Sequence, residues 1–133
     1  MPQPKILLGE ELAQSQLAYL RKAGILEENE QVLFLHRAGV FSIAEMGQLL
    51  TDKRVINYRL DELRKTVVES VALVEVKDVR VERPEQLERQ TKLEVITGER
   101  VYVFGLSRND DRDVAFEEEL KRRVVEEQKQ ETP

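Results

Sequence analysis

Residues 97–128 read TGERVYVFGLSRNDDRDVAFEEELKRRVVEEQ and combine a turn sequence, an apolar run and a helical pattern. This stretch opens on a turn sequence, Thr97-Gly98-Glu99, and continues into an apolar run at Val101–Leu106. Apolar side chains then recur at the four-residue spacing that is typical of one helix face, at Phe116, Leu120 and Val124. The stretch predicts the last strand of a hairpin and then an amphipathic helix over residues 110–128, with a frayed tail at 129–133.

The strand at Val101–Leu106 is apolar at both alternating sets of positions. Side chains of a strand point alternately to opposite faces, so we expect both faces of this strand to be buried. The helix that follows has only a narrow apolar stripe and must dock on other elements to persist. We expect it to cover the open end of a curled antiparallel sheet.

Residues 30–107 show the period of two that is typical of half-buried strands. Apolar and polar side chains alternate at residues 79–82 and 92–95, the side chains at residues 32–37 and 54–60 divide between two alternating faces, and turn-forming residues separate these runs. The pattern predicts six or seven short antiparallel strands that follow one another in chain order.

Residues 9–23 predict an additional helix before the strands, with acidic side chains in its first turn and basic ones in its last turn. This arrangement complements the helix dipole. Gly24 follows as the expected left-handed cap, after which Ile25 can contact Leu20. The N-terminal helix therefore has a defined end.

The chain has 133 residues, of which 41% are hydrophobic and 35% charged, with a formal net charge of -5. This length suits one domain. We interpret residues 1–133 as a single α+β domain that is mostly β. It comprises the helix at 9–23, the antiparallel sheet at 25–107 and the C-terminal helix at 110–128.

The composition excludes several classes of function. Without cysteine there are no disulfides, thiolate metal sites or cysteine nucleophiles. His36 is the only histidine, so a two-histidine zinc site cannot form. His36 alternates with apolar strand residues, and no Gly-x-Ser-x-Gly sequence presents a serine nucleophile. We expect no enzymatic activity, no catalytic residue, no metal and no cofactor.

The net acidity argues against a nucleic-acid partner, because phosphate contacts need clustered Lys and Arg. The longest apolar runs are far shorter than the about 20 residues that a membrane helix needs. The opening sequence MPQPKILLG lacks the features of a secretory signal. We expect a soluble, cytoplasmic protein.

Four segments, residues 24–33, 47–56, 70–76 and 97–104, together resemble a bacterial pleckstrin-homology-like domain, a relative of pleckstrin-homology and GRAM domains. The most distinctive match is the turn Thr51-Asp-Lys-Arg before an apolar strand. The resemblance implies a strongly bent antiparallel sheet, or partly open barrel, of about seven strands capped by one helix. It also implies kinship with bacterial proteins that are mostly of unknown function, some of which form ring-like homo-oligomers.

One segment of the chain is locally basic. Its cations are Lys53, Arg54, Arg59, Arg64 and Lys65, interspersed with two acidic residues. In one interpretation these cations bind the headgroup of an anionic phospholipid. In the other, Lys53 and Arg54 close a tight turn, Arg54 pairs with a strand carboxylate, and the remaining cations belong to a solvated loop. The residues alone leave both open.

A second candidate site is apolar. Phe41, Ile43 and Met46 lie in a loop-like stretch between Gly39 and Gly47, where a monomer prefers polar side chains. Either they continue an edge strand into the core, or they form an exposed patch that marks an interface.

These features favour a non-enzymatic binding or assembly module. The first expected partner is a second copy of the chain, and the next is a different protein. The N-terminal helix, the apolar stretch and any unpaired sheet edge are the expected contact surfaces. The alternative function is peripheral binding of an anionic membrane through residues 53–65.

Overall fold

The computed structural model describes residues 6–37, 46–85, 90–107 and 111–131, and within them it has eight strands and two α-helices. The strands are β1 (Ile6–Leu8), β2 (Val32–Arg37), β3 (Met46–Thr51), β4 (Arg54–Leu60), β5 (Thr66–Ala72), β6 (Asp78–Glu82), β7 (Thr91–Ile96) and β8 (Val101–Leu106). The helices are α1 (Gln14–Lys22) and α2 (Arg112–Glu131), and short 3-10 turns occupy Gly9–Glu11 and Leu73–Glu75. The chain divides into two compact units, residues 1–70 and 71–133, with the boundary inside β5.

The first unit is built on an antiparallel sheet with the strand order β1-β2-β3-β4-β5. Neighbours in the chain are neighbours in the sheet, which short turns allow in antiparallel pairing. Leu35 lies opposite Leu49, and Leu49 lies opposite Ile56. An apolar row therefore crosses three strands on one face of the sheet.

Helix α1 packs in the same hydrophobic cluster as this row. The cluster joins the strand residues Leu7, Leu35, Leu49, Ile56 and Tyr58 to Leu12, Leu20, Ile25 and Leu26 of the N-terminal segment. The helix thus packs on one face of the five-stranded sheet.

The end of α1 is a Schellman motif. Gly24 has a φ of +79°, its N–H donates to the Arg21 carbonyl at 3.1 Å, and the Ile25 N–H donates to the Leu20 carbonyl at 2.9 Å. The predicted left-handed cap is therefore confirmed. The helix itself is shorter than the predicted range 9–23, because Gly9–Glu11 forms a separate 3-10 turn.

The opposite face of the five-stranded sheet carries a row of polar side chains, of which His36 and Gln48 are buried. His36 lies opposite Gln48, and Gln48 lies opposite Asn57. The His36 Nδ1 is 2.5 Å from Gln48 Oε1, and Gln48 Nε2 donates to Asn57 Oδ1 at 2.9 Å. Since an amide oxygen can only accept, His36 donates from Nδ1. The single histidine is thus a buried strand residue engaged by a neighbouring strand.

The second unit combines a three-stranded antiparallel sheet, in the order β6-β7-β8, with α2. The predicted helix face is confirmed, because Phe116, Leu120 and Val124 are all buried. The Thr91 hydroxyl donates to Asp113 Oδ2 at 2.8 Å near the start of α2. Gln128 Nε2 donates to the Val76 carbonyl at 2.7 Å near its end. Polar contacts therefore fasten α2 within its unit at both ends.

The predicted architecture, mostly β with a C-terminal helix and an additional N-terminal helix, is confirmed. The described residues form eight strands where about seven were expected, because Ile6–Leu8 forms β1 and pairs with β2. The strands are also divided between a five-stranded and a three-stranded sheet.

Candidate functional site

The five cations of the basic segment lie at the two ends of β4. Lys53 belongs to the turn before β4, and Arg54 is the first residue of the strand. Arg59 lies at the far end, and Arg64 and Lys65 follow in the next turn. A strand of 7 residues separates the two ends by about 20 Å at about 3.3 Å per residue. The structure therefore does not bring the five side chains into one cluster.

Arg54 is held by a buried carboxylate, that of Glu30. The Arg54 Nε donates to Glu30 Oε2 at 2.9 Å, and Nη2 donates to Oε1 at 2.5 Å. The Nη2 also donates to the carbonyl of Ile25, just beyond α1, at 3.0 Å. The side chain of Glu30 is 0% exposed and that of Arg54 is 19% exposed. Arg54 thus ties the end of the helix segment to the sheet.

Thr51 completes this cluster at the β3–β4 turn. Its hydroxyl donates to Glu30 Oε2 at 2.6 Å and accepts the backbone N–H groups of Lys53 and Arg54 at 3.1 and 2.9 Å. Asp52 Oδ1 accepts the N–H of Gln31 at 3.0 Å. The sequence Thr-Asp-Lys-Arg therefore folds into a tight turn in which Thr51 accepts two of the turn's own N–H groups, while Asp52 joins the turn to Gln31.

Two opposing effects set the pKa of the Glu30 carboxyl group. Burial raises this pKa, because the charged form loses its water. Hydrogen bonds from Arg54, Thr51 and the Glu27 N–H favour the charged form, and together they hold the pKa below its usual value. The Glu30 carboxylate is therefore charged at neutral pH and neutralised by Arg54.

The other four cations, Lys53, Arg59, Arg64 and Lys65, are exposed. Of the predicted apolar site, Phe41 and Ile43 lie outside the described residues. Met46 is the first residue of β3, pairs with Arg59 of β4 and is partly buried.

The expectation that both faces of Val101–Leu106 are buried is wrong. Phe104 and Leu106 are buried on one face, but Val101 and Val103 on the other face are 53% and 54% exposed. The face with these valines also carries Ile96 and Glu94 of β7, which lie opposite Val101 and Val103. An apolar sequence cannot distinguish a strand buried on two faces from a strand that displays one apolar face.

Strand β8 is also an edge of its sheet. Natural edge strands are usually protected from pairing by charged side chains. The other edge of this sheet, β6, carries three: Asp78, Arg80 and Glu82. Strand β8, with the sequence VYVFGL, carries none. The uncharged last strand was the signal in the sequence that points to this candidate contact surface.

Among residues 6–37, 46–85, 90–107 and 111–131, no group of three or more His, Cys, Asp or Glu side chains is placed to hold a metal ion. In the same part of the chain, neither helix is long and apolar enough to cross a bilayer.

The two antiparallel sheets with a C-terminal helix define a pleckstrin-homology-like fold, and solved structures share it. A DUF1696 family protein with a pleckstrin-homology domain from Shewanella loihica PV-4 has a TM-score of 0.66 and 17% identity, covering 92% of this chain and 99% of that chain. A pleckstrin homology domain from Shewanella amazonensis SB2B has a TM-score of 0.59 and 18% identity, over 86% and 90% of the two chains.

A third match is a bacterial protein containing a PH domain, from Exiguobacterium sibiricum 255-15. Its TM-score is 0.56 with 11% identity, over 92% of this chain and 61% of that chain. No family model matches the sequence, and no curated protein matches it. The resemblance to bacterial pleckstrin-homology-like domains is thus confirmed at the level of the fold.

Proposed function

We propose that the protein is a non-enzymatic binding and assembly module that acts through contacts with protein, first of all with a second copy of itself. The observation that carries this proposal is the uncharged edge strand β8 with its two half-exposed valines. An apolar edge offers both unpaired backbone groups and apolar side chains to another strand.

A second copy is the occupant that β8 fits. Two identical edges can pair antiparallel about a two-fold axis, which gives a self-complementary contact. Because β8 carries no charge, such pairing brings no like charges together. Val101 and Val103 would then gain apolar neighbours from the partner strand.

Val103→Lys tests the proposal. The new ammonium group would lie opposite the carboxylate of Glu94 in β7, and because opposite charges attract, we expect the monomer to keep its fold. Pairing of two such edges would place cations together, and we expect self-association to weaken at least about tenfold, which corresponds to about 1.4 kcal/mol. Sedimentation velocity gives the association, and circular dichroism checks the fold.

The matched control is Val125→Lys on α2, since Val125 is 50% exposed and receives the same change. We expect it to associate like the unaltered chain. If the Val103→Lys protein associates as strongly as the control, then β8 does not form the contact between copies.

The alternative function, peripheral binding of an anionic membrane through residues 53–65, has less support. Its cations are split between two ends of β4, and Arg54 is bound to Glu30. Only Lys53 remains at one end of β4, and Arg59, Arg64 and Lys65 remain at the other end. Each exposed cation contributes only about 1 kcal/mol at an anionic surface.

A further inference from the structure

The turn between β4 and β5, residues 61–65, is fixed by its own first residue. Asp61 Oδ1 accepts the N–H groups of Leu63 and Lys65 at 2.9 and 2.8 Å. The Asp61 N–H donates to the Lys65 carbonyl at 2.8 Å, and the Arg64 N–H donates to the Asp61 carbonyl at 2.9 Å. We call these five residues the tip turn. These four hydrogen bonds fix the backbone of the tip turn within the chain itself.

The tip turn displays an apolar side chain among cations. Leu63 is 76% exposed, more than the other exposed large hydrophobic residues of the described chain. Arg64 and Lys65 follow it, and Arg59 is exposed on the adjoining strand. Three cations against Asp61 and Glu62 give these five residues a net charge of +1, although the whole chain is acidic.

Beside α1 lies a cleft of the opposite net charge, with a volume of about 420 Å³. Leu17 and Val32 supply apolar lining, and Glu10, Glu28 and Arg21 supply exposed charges. Glu30 also lines it but is already neutralised by Arg54. The two remaining carboxylates against one guanidinium leave the acidic cleft negative by one charge. Its volume lies in the range of small-ligand pockets and is larger than one leucine side chain requires.

The acidic cleft and the tip turn lie at opposite ends of the five-stranded sheet. Val32 of the cleft pairs with Thr51, beside the start of β4, whereas the tip turn follows the end of β4. The length of β4 separates these ends by about 20 Å. A chain therefore cannot place its own Leu63 in its own cleft, but a second copy can.

We propose that the tip turn of one copy docks in the acidic cleft of the next, with Leu63 against Leu17 and Val32, and Lys65 near Glu28. This inference rests on the proposed self-association and adds a second, independent surface to it. Unlike pairing of two β8 edges, the contact joins two different surfaces and is heterologous. Apolar and charge complementarity both favour this occupant over a partner of unrelated chemistry.

Charge exchange tests the docking directly. Glu28→Arg makes the cleft basic, and Lys65→Glu makes the tip turn acidic. Each variant alone places like charges together, so we expect self-association at least about tenfold weaker by sedimentation velocity. In an equimolar mixture every basic cleft meets an acidic tip turn and every acidic cleft a basic one, so association is restored. Leu63→Ser alone should also weaken association, because its tip turn loses the apolar contact.

The control is Lys77→Glu, an exposed cation outside both surfaces, which should associate like the unaltered chain. An unaltered chain that associates, with Glu28→Arg and Lys65→Glu proteins that associate equally well, would overturn the docking and leave the proposed function standing. Weakening without rescue in the mixture would also overturn it. An unaltered chain that stays monomeric would overturn both proposals. Loss of binding to phosphatidylserine vesicles by Leu63→Ser, with association unchanged, would assign the tip turn to membranes instead.

Discussion

At the scale of single residues, Glu30 and Arg54 decide how the first unit is held together. A buried carboxylate is costly unless a charge and hydrogen bonds compensate it. Here Arg54 supplies two hydrogen bonds, Thr51 a third and the Glu27 N–H a fourth. The same guanidinium reaches the Ile25 carbonyl, so one side chain connects the helix end, the loop before β2 and the start of β4.

Arg54→Met should therefore be strongly destabilising, since it leaves the Glu30 charge buried without its partner. We expect the free energy of unfolding in urea to fall by about 3 kcal/mol. Arg59→Met, which removes an exposed arginine from the same strand, is the control and should cost no more than about 0.5 kcal/mol. Equal small losses in the two variants would contradict the structural role of Arg54.

The Glu30 carboxyl group also predicts acid sensitivity. Its pKa is lower in the folded chain than the ordinary value of 4.5, so the folded chain holds the proton less readily than the unfolded one. The stabilisation is complete above pH 4.5 and is lost as the pH falls below that value. In urea titrations at a series of pH values, Glu30→Gln should show a shallower loss of stability below pH 4.5 than the unaltered chain. Glu62→Gln, an exposed control, should retain the full slope.

At the scale of elements, the end of α1 shows how a local pattern specifies structure. Gly24 has a positive φ, and a Cβ added there would meet nothing within 4 Å. The cost of a side chain at this position is therefore purely that of the left-handed backbone. We expect Gly24→Ala to lower the free energy of unfolding by about 1–2 kcal/mol.

The matched control is Gly98→Ala in the β7–β8 turn, where an added Cβ also meets nothing within 4 Å and φ is not positive. This change should leave the unfolding midpoint in urea nearly unaltered. If both substitutions had the same effect, the conformation of Gly24 would not be what fixes the end of the helix.

An element can be predicted from the sequence where the residues that specify it lie close together in the chain. The cap at Gly24 and the buried face of α2 depend on residues within a few turns, and both predictions are confirmed. Strand β1 was missed because three apolar residues show no period. The interpretation that pairs Arg54 with a strand carboxylate is wrong about the element, because its partner Glu30 lies 24 positions away in the loop before β2. The exposed face of β8 depends on tertiary packing, which an apolar run does not encode.

The same limit applies to the candidate sites. The cations of the basic segment are close together in the sequence, but β4 holds its two ends far apart, so their side chains do not form one cluster. The acidic cleft joins residues from before β2 and from α1, and no motif marks it. Phe41 and Ile43 remain a predicted interface outside the described residues.

At the scale of the whole molecule, the two proposed contacts differ in symmetry. Pairing of two β8 edges is two-fold and closes a dimer, whereas docking of the tip turn in the cleft is heterologous and extends an assembly. The β8 edge has six residues and the tip turn five, fewer than the about 20–30 residues that each side of a standard interface contributes. We therefore expect weak association that increases with concentration, and a chain with both contacts should form particles larger than a dimer.

We propose that the protein assembles with copies of itself, and the mass of the unaltered chain in solution is the first quantity to measure. Sedimentation equilibrium over a wide concentration range should give an average mass that rises with concentration above the 15.5 kDa of one chain. A mass that stays at 15.5 kDa up to the highest concentration reached would contradict the claim and direct the search to a different protein partner.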